Sequence, residues 1–206
     1  MHRKNIIYSG QQLAKAEKVL IMIHGRGGSA EDILSLSDHL VAGDFALLAP
    51  QATENTWYPY SFLAPVEQNE PWLSSALSLV GEAVSDVIAA GIKKENIFFL
   101  GFSQGACLTL EFTARNAARY GGIIAFTGGL IGSSIHRANY KGNFEGTPVF
   151  IGSSDPDMHV PVDRVHATTS VLQLMGAEVT EKIYKGMGHT INADEIQHAN
   201  KILERE

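Results

Sequence analysis

Ser103 lies in a pattern whose residue types and spacing suit nucleophilic catalysis. Residues 101–105 read Gly-Phe-Ser-Gln-Gly, and Gly-x-Ser-x-Gly is typical of a serine at a sharp turn from a strand into a helix. Glycine two positions before and after the serine lets the neighbouring strand and helix approach the turn. An apolar run at 97–100 precedes the motif and a helical pattern follows it. This context favours a nucleophile over a solvent-facing serine in a tight turn.

His189 has the position expected of the general base that a serine nucleophile requires. In proteins with this turn, the acid follows the nucleophile in sequence and the histidine comes last. Four histidines lie beyond the candidate acids, namely His159, His166, His189 and His198. His166 and His198 fall within helical patterns, and His159 follows the acids too closely to face them. His189 lies in a glycine-containing turn before the last helix, so we predict that it is the base.

The acid that orients the base is expected after the predicted strand at 149–151. Asp155 and Asp157 both lie there, on either side of Pro156. Either carboxylate could hold the imidazole in one tautomer. The other would then be a turn aspartate that binds its own backbone. The spacing alone leaves both residues as candidates.

Two backbone N–H groups are expected to stabilise the oxyanion of a tetrahedral intermediate. One is that of Gln104, directly after the nucleophile, and the other belongs to a loop after an early strand. Residues 24–28 read His-Gly-Arg-Gly-Gly, so we predict the N–H of Arg26 as the second donor and a structural role for His24. A glycine-rich loop could instead bind phosphate, but the spacing matches neither Gly-x-Gly-x-x-Gly nor a phosphate-binding loop with lysine.

The elements that must position these residues alternate along the chain. Short apolar runs, typical of strands buried on both faces, lie at 19–23, 45–49, 97–100, 122–126 and 149–151, and residues 178–184 are predicted as a further strand. Amphipathic stretches of helical length separate them, and a capping box of Asn192 and Glu195 is expected to begin the last helix. The alternation predicts an α/β protein with a mostly parallel central sheet and helices on both faces, and the serine turn makes it an α/β-hydrolase fold. We expect residues 1–206 to form one such domain, with the candidate residues at the carboxyl ends of the strands.

The composition argues against several other functions. The 206 residues carry a formal charge of −6 and no cluster of Lys or Arg, so nucleic acid is not an expected partner. The single cysteine, Cys107, permits no disulfide within the chain and argues against a zinc site built from cysteines. The sequence has no apolar segment typical of a signal peptide or a membrane span. We therefore expect a cytoplasmic protein.

Taken in order, these motifs resemble the phospholipase/carboxylesterase family, which includes acyl-protein thioesterases and small bacterial carboxylesterases. The resemblance extends over nearly the whole chain and rests on the motifs at 24–27, 57–58, 101–105, 157–161 and 188–189. Its most specific part is Gly-Phe-Ser-Gln-Gly. Family members typically carry an Asp, three further residues and a Pro preceded by Val, and Asp157 to Pro161 fits this frame. The resemblance thus implies Asp157 as the acid, although Ser153, Ser154 and Met158 depart from the residues usual in the family.

The resemblance also implies a function. It predicts a substrate channel near Trp57 and Tyr58, for which loop packing is the alternative role. The segment 57–65 is similar to that of esterase-type members. This similarity implies hydrolysis of a small acyl ester by Ser103, His189 and Asp157 through an acyl-enzyme, with neither a metal nor another cofactor. Because family members often dimerise, a homodimer is a further expectation.

Two alternative functions remain open from the sequence. An acyl-protein thioesterase or a lysophospholipase would use the same three residues. A catalytically silent ligand-binding protein of this fold would usually lack one of them. A cysteine hydrolase is disfavoured because Ser103 occupies the turn, and we expect Cys107, one helical turn later, to be a small buried residue.

Overall fold

The computed structural model describes residues 1–205, which contain one sheet of seven strands. In chain order the strands are β1 (Ile6–Gly10), β2 (Lys18–Ile23), β3 (Phe45–Pro50), β4 (Ile97–Phe102), β5 (Gly122–Phe126), β6 (Pro148–Asp155) and β7 (Glu178–Lys185). Their order across the sheet is β1-β3-β2-β4-β5-β6-β7. Every neighbouring pair is parallel except β1 and β3. The predicted α/β class with a mostly parallel sheet is confirmed, and β1 is an edge strand that the sequence patterns did not predict.

Six α-helices cover the two faces of this sheet in the described part of the chain. They are α1 (Ala30–Ser35), α2 (Val66–Asn69), α3 (Trp72–Ala89), α4 (Gln104–Arg115), α5 (Val162–Leu174) and α6 (Ala193–Leu203). Buried residues of α3, α4 and α5 belong to the core on one face, and those of α1 and α6 belong to the core on the other. The predicted capping box of Asn192 and Glu195 is present at the start of α6.

The side chains of β2 show why the sheet is buried on both sides. Val19, Ile21 and Ile23 lie in one core, Leu20 and Met22 lie in the other, and all five are fully buried. Alternate side chains of a strand lie on opposite faces of the sheet. A continuous apolar run therefore packs against both helix layers, and the hydrophobic effect holds β2 in the interior of the sheet.

Helix α3 packs on the sheet through a stripe of small and aliphatic side chains. Leu73, Ala76, Val80 and Val87 are buried in the core, whereas Ile88 is 43% exposed. Among residues 1–205, α3 is the one helix that is long and apolar enough to span a membrane by length and composition. Its buried stripe is the contact surface expected of a core helix.

Two glycines let α4 approach the carboxyl ends of β2 and β4. A Cβ on Gly105 would overlap the carbonyl oxygens of Ile23 and His24, and a Cβ on Gly101 would overlap the backbone of Gly105. Because only glycine leaves this space free, the end of β2, the end of β4 and the start of α4 meet at one place. Ser103 lies there, in the turn between β4 and α4.

Candidate active site

Ser103 occupies a strained turn that presents its hydroxyl group at the edge of the sheet. Its φ and ψ are 55° and −119°, a combination that side-chain-bearing residues rarely adopt. The N–H of Ser103 donates to the carbonyl oxygen of Phe126 at 2.9 Å, which ties the turn to the end of β5. Helix α4 begins at the next residue, so the positive end of its dipole lies beside the serine.

His189 and Asp157 complete a chain of hydrogen bonds that begins at Ser103. His189 Nε2 lies 2.7 Å from Ser103 Oγ, and His189 Nδ1 lies 2.8 Å from Asp157 Oδ2. The side chain of Asp157 is fully buried, whereas 21% of the His189 side chain is exposed. Since a carboxylate can only accept, Nδ1 carries a proton and Nε2 accepts the hydroxyl proton of Ser103. The structure thus brings together the three residues predicted as nucleophile, base and acid.

The second oxygen of Asp157 is held by the backbone of the following turn. Asp157 Oδ1 accepts hydrogen bonds from the N–H groups of His159 at 2.8 Å and Val160 at 2.9 Å. Burial by itself would raise the pKa of Asp157, but the hydrogen bonds from His159, His189 and Val160 outweigh it and lower that pKa below its ordinary value. Asp155 is exposed at the end of β6, so Asp157 and not Asp155 is the partner of His189.

The turn that carries His189 is fixed by two glycines. Gly186 and Gly188 have φ values of 63° and 82°, which favour glycine. The N–H of Gly186 donates to the carbonyl of Asp155 at 3.0 Å, and the N–H of Gly188 donates to Ser154 Oγ at 3.0 Å. These bonds attach the turn to the end of β6, the strand that leads to the acid.

The backbone N–H groups of Arg26 and Gln104, which were predicted as the oxyanion donors, both have unused hydrogen-bonding capacity. Neither donates a hydrogen bond to another group within residues 1–205. The loop that carries Arg26 lies close to the nucleophile, since a Cβ added to Gly25 would be 3.4 Å from the Cβ of Ser103. Two donors beside a serine are the arrangement that stabilises a tetrahedral intermediate.

The buried side chain of His24 stabilises this loop through hydrogen bonds. It is 1% exposed, its Nδ1 lies 2.8 Å from the carbonyl oxygen of Gly25, and its Nε2 accepts from the N–H of Ala52 at 3.2 Å. Burial lowers the pKa of His24. A neutral ring with its proton on Nδ1 satisfies both contacts. His24 therefore holds the loop and does not face the nucleophile.

A cavity of about 770 Å³ opens beside Ser103 and His189. Its other walls carry mostly apolar and aromatic side chains, including Tyr60, Phe62, Leu63, Met158, Val160 and Pro161. Cys107 also lies on the wall, and burial raises the pKa of its thiol to about 12, so the sulfur stays protonated. Among residues 1–205, no three His, Cys, Asp or Glu side chains are grouped closely enough to hold a metal ion.

The family model of phospholipases and carboxylesterases matches residues 4–205. The chain belongs to the phospholipase/carboxylesterase family. It is similar to a probable carboxylesterase from Arabidopsis thaliana, with 27% identity over 92% of this chain and 79% of the relative. It is also similar to acyl-protein thioesterase 1 from Kluyveromyces lactis, with 25% identity over 98% of this chain and 97% of the relative.

A solved structure supports the same assignment. The chain is similar to the crystal structure of a phospholipase/carboxylesterase from Dyadobacter fermentans, with a TM-score of 0.98 and 57% sequence identity over 98% of both chains. The α/β-hydrolase fold predicted from the sequence is thereby confirmed. As a phospholipase/carboxylesterase family member, the chain is a hydrolase that acts on ester bonds.

The two aromatic residues predicted near a substrate channel, Trp57 and Tyr58, differ in their position relative to the cavity. Tyr58 lines the cavity, although its hydroxyl oxygen is buried near the thiol of Cys107. Trp57 is fully buried and does not line the cavity, which fits the loop-packing role given as its alternative. Its indole N–H donates to the carbonyl of His24 at 2.8 Å. Trp57 packs behind the loop of Arg26 because its large ring fills the core there.

The side chains of Arg26 and Gln104 have roles at this site that the sequence did not predict. The side chains of Arg26 and Gln104 both bind the segment 57–60, in addition to the backbone roles predicted for these residues. The partners lie more than 30 residues away in sequence, so no local spacing indicated the contacts. His159 was set aside as a base, and its ring lies against that of His189 at 5.0 Å between centroids.

Proposed function

We propose that the protein is a serine carboxylesterase that hydrolyses small acyl esters through Ser103, His189 and Asp157. The observation that carries this proposal is the unbroken chain of hydrogen bonds from the Ser103 hydroxyl through His189 to Asp157, at 2.7 and 2.8 Å. A ligand-binding protein would have no need to keep a hydroxyl, an imidazole and a buried carboxylate in this order.

In the proposed acylation step, Ser103 Oγ attacks the carbonyl carbon of the ester. His189 Nε2 takes the proton of the hydroxyl group as the new C–O bond forms. The carbonyl electron pair moves to the oxygen, which the N–H groups of Arg26 and Gln104 bind. Asp157 stays ionised, in line with its lowered pKa, and stabilises the imidazolium.

Collapse of this intermediate breaks the bond to the alcohol, which leaves with the proton of His189. Water then attacks the acyl-enzyme and gives its proton to His189 Nε2. The second tetrahedral intermediate then breaks its bond to Ser103 Oγ, which takes the proton from His189, and the carboxylic acid leaves. The exposed part of the imidazole lies on the cavity, which allows both the alcohol and the water to reach it.

The cavity supports a small apolar acyl ester as the substrate. Its volume of about 770 Å³ is within the range of about 300–1,000 Å³ that is usual for small-molecule sites. The apolar side chains of Phe62, Leu63 and Val160 suit an acyl chain.

The test is hydrolysis of p-nitrophenyl esters from acetate to palmitate by wild type, Ser103→Ala and Ser85→Ala. Ser85 is an exposed serine of α3 whose hydroxyl binds its own helix, so its variant is a matched control. We expect Ser103→Ala to lose about a thousandfold or more in kcat while Ser85→Ala keeps it. Equal rates for Ser103→Ala and wild type would refute the proposal.

An acyl-protein thioesterase is the second candidate, favoured by the similarity to acyl-protein thioesterase 1 from Kluyveromyces lactis over 97% of that relative. The same three residues would serve, with a thiol as the leaving group. An S-acylated cysteine peptide and its O-acylated serine counterpart separate the two activities. A kcat/KM that is higher for the thioester, and that rises with acyl length, would favour the thioesterase.

A further inference from the structure

The side chain of Arg26 forms a clamp on a neighbouring segment. Its guanidinium donates to three consecutive carbonyl oxygens, those of Tyr58 at 2.9 Å, Pro59 at 3.0 Å and Tyr60 at 2.8 Å. Three donors of one rigid planar group fix the segment 57–60 relative to the backbone of Arg26 itself. The backbone N–H of the same residue is a proposed oxyanion donor.

The side chain of Gln104 binds the same segment. Its Oε1 accepts from the N–H of Trp57 at 3.0 Å, and its Nε2 donates to the carbonyl of Tyr58 at 2.8 Å. Gln104 is 6% exposed, so these bonds are shielded from water. The backbone N–H of Gln104 is the other proposed oxyanion donor.

The segment 57–60 and the residues just before it are also attached to the loop of Arg26 by further hydrogen bonds. The N–H of Gly27 donates to the carbonyl of Asn55 at 2.7 Å, and the indole of Trp57 donates to the carbonyl of His24. The segment that ends at Tyr60 therefore joins two parts of the chain, the loop after β2 and the start of α4.

We propose that Arg26 and Gln104 are positioning residues whose side chains, by binding one shared segment, fix the separation of their own backbone N–H groups. This inference rests on the proposed function, because it concerns the oxyanion of that reaction. A side chain that orients its own backbone donor acts in the transition state, where the charge on oxygen develops. Its loss should lower kcat more than it weakens substrate binding.

The experiment compares Arg26→Ala, Arg26→Lys and Gln104→Met with wild type on p-nitrophenyl acetate. Each variant keeps its backbone N–H. Because a misplacement of about 1 Å can cost about a hundredfold in rate, we expect kcat to fall about 10- to 100-fold, most in Arg26→Ala. Inhibition by a trifluoromethyl ketone, which forms an oxyanion on Ser103, should weaken in parallel with kcat/KM.

Chemical rescue distinguishes the clamp from a general structural role. Added guanidinium ion, at millimolar concentrations that do not unfold the protein, should restore part of the kcat of Arg26→Ala and leave wild type unchanged. Arg119 provides a control, since its exposed guanidinium donates to a carbonyl oxygen, that of Glu145 at 2.7 Å, and does not line the cavity. Arg119→Lys should keep kcat within about twofold.

The outcomes distinguish a failure of the positioning role of Arg26 and Gln104 from a failure of the proposed function. Wild-type kcat and inhibitor affinity in all three variants would overturn the clamp, as would losses confined to KM or to melting temperature. Ser103→Ala, assayed in parallel, reports on the proposed function. If Ser103→Ala is inactive and the Arg26 variants are normal, the inference alone is wrong. If Ser103→Ala stays active, the proposed function is wrong.

Discussion

Replacing Gly105 by alanine tests the close approach of α4 to β2. The added Cβ would lie 2.5 Å from the carbonyl oxygen of His24 and would overlap that of Ile23. Ordinary contact between a methyl carbon and an oxygen needs about 3.4 Å, so α4 and the end of β2 must separate by about 1 Å. Both atoms in conflict belong to the backbone, so no side-chain rotation relieves the overlap.

The size of the effect follows from this displacement. Overpacking of a close-packed core costs about 1–3 kcal/mol of the free energy of unfolding. The same shift moves the N–H of Gln104 and the hydroxyl of Ser103 away from the loop of Arg26, and a misplacement of about 1 Å can lower kcat about a hundredfold. We therefore expect Gly105→Ala to lose both stability and activity.

The assay is urea unfolding together with ester hydrolysis, and Gly81→Ala is the matched control. Gly81 also lies within a helix, but a Cβ there would meet only Phe112 at 3.7 Å, an ordinary contact. Gly81→Ala should gain about 0.5–1 kcal/mol, because alanine loses less conformational freedom than glycine on folding. A Gly105→Ala variant with wild-type unfolding and kcat would refute the packing argument.

Two further predictions concern the carboxylates. Asp157→Asn should lower kcat about a thousandfold or more, because the amide no longer fixes the tautomer of His189; Asp155→Asn should keep kcat within about twofold, and the reverse order in an ester assay would identify Asp155 as the acid. Glu195→Gln should change the pH dependence of stability, because burial of Glu195, one of whose oxygens has no partner among residues 1–205, raises its pKa from 4.5 to about 7. The neutral acid stabilises the folded protein fully below pH 4.5, and this stabilisation is lost as the pH rises towards 7. Between these pH values, the free energy of unfolding in urea should therefore rise by about 1–3 kcal/mol in the variant relative to wild type. A difference that does not depend on pH would contradict this reasoning.

The sequence predicted the elements that obey a local pattern. Continuous apolar runs indicated five of the strands, β2 to β6, since a strand buried on both faces needs apolar side chains at nearly every position. The nucleophile and the base followed from glycine-flanked turns at the ends of β4 and β7. Only the resemblance to the family favoured Asp157 over Asp155 as the acid. The hydrogen bonds that hold the Asp157 carboxylate come from backbone N–H groups of the turn, which no side-chain pattern indicates.

The features that the sequence did not predict depend on distant partners. Strand β1 is short and lies at the edge of the sheet, so its residues are only partly buried and show little pattern. Trp57 has the aromatic side chain expected of a residue that lines a channel, but its ring is buried in the core behind the loop of Arg26. The homodimer, the absence of a nucleic-acid partner and the cytoplasmic location stay predictions.

The buried thiol of Cys107 has a practical consequence for spectroscopy. It is the only cysteine of the chain, it is 1% exposed, and its sulfur stays protonated, so maleimides and methanethiosulfonates should not modify the folded protein. Met158, on the rim of the cavity, is 85% exposed. A cysteine placed there would be the single labelling position for a fluorophore or spin label. Motions at the mouth of the cavity can thus be followed without first removing a native residue.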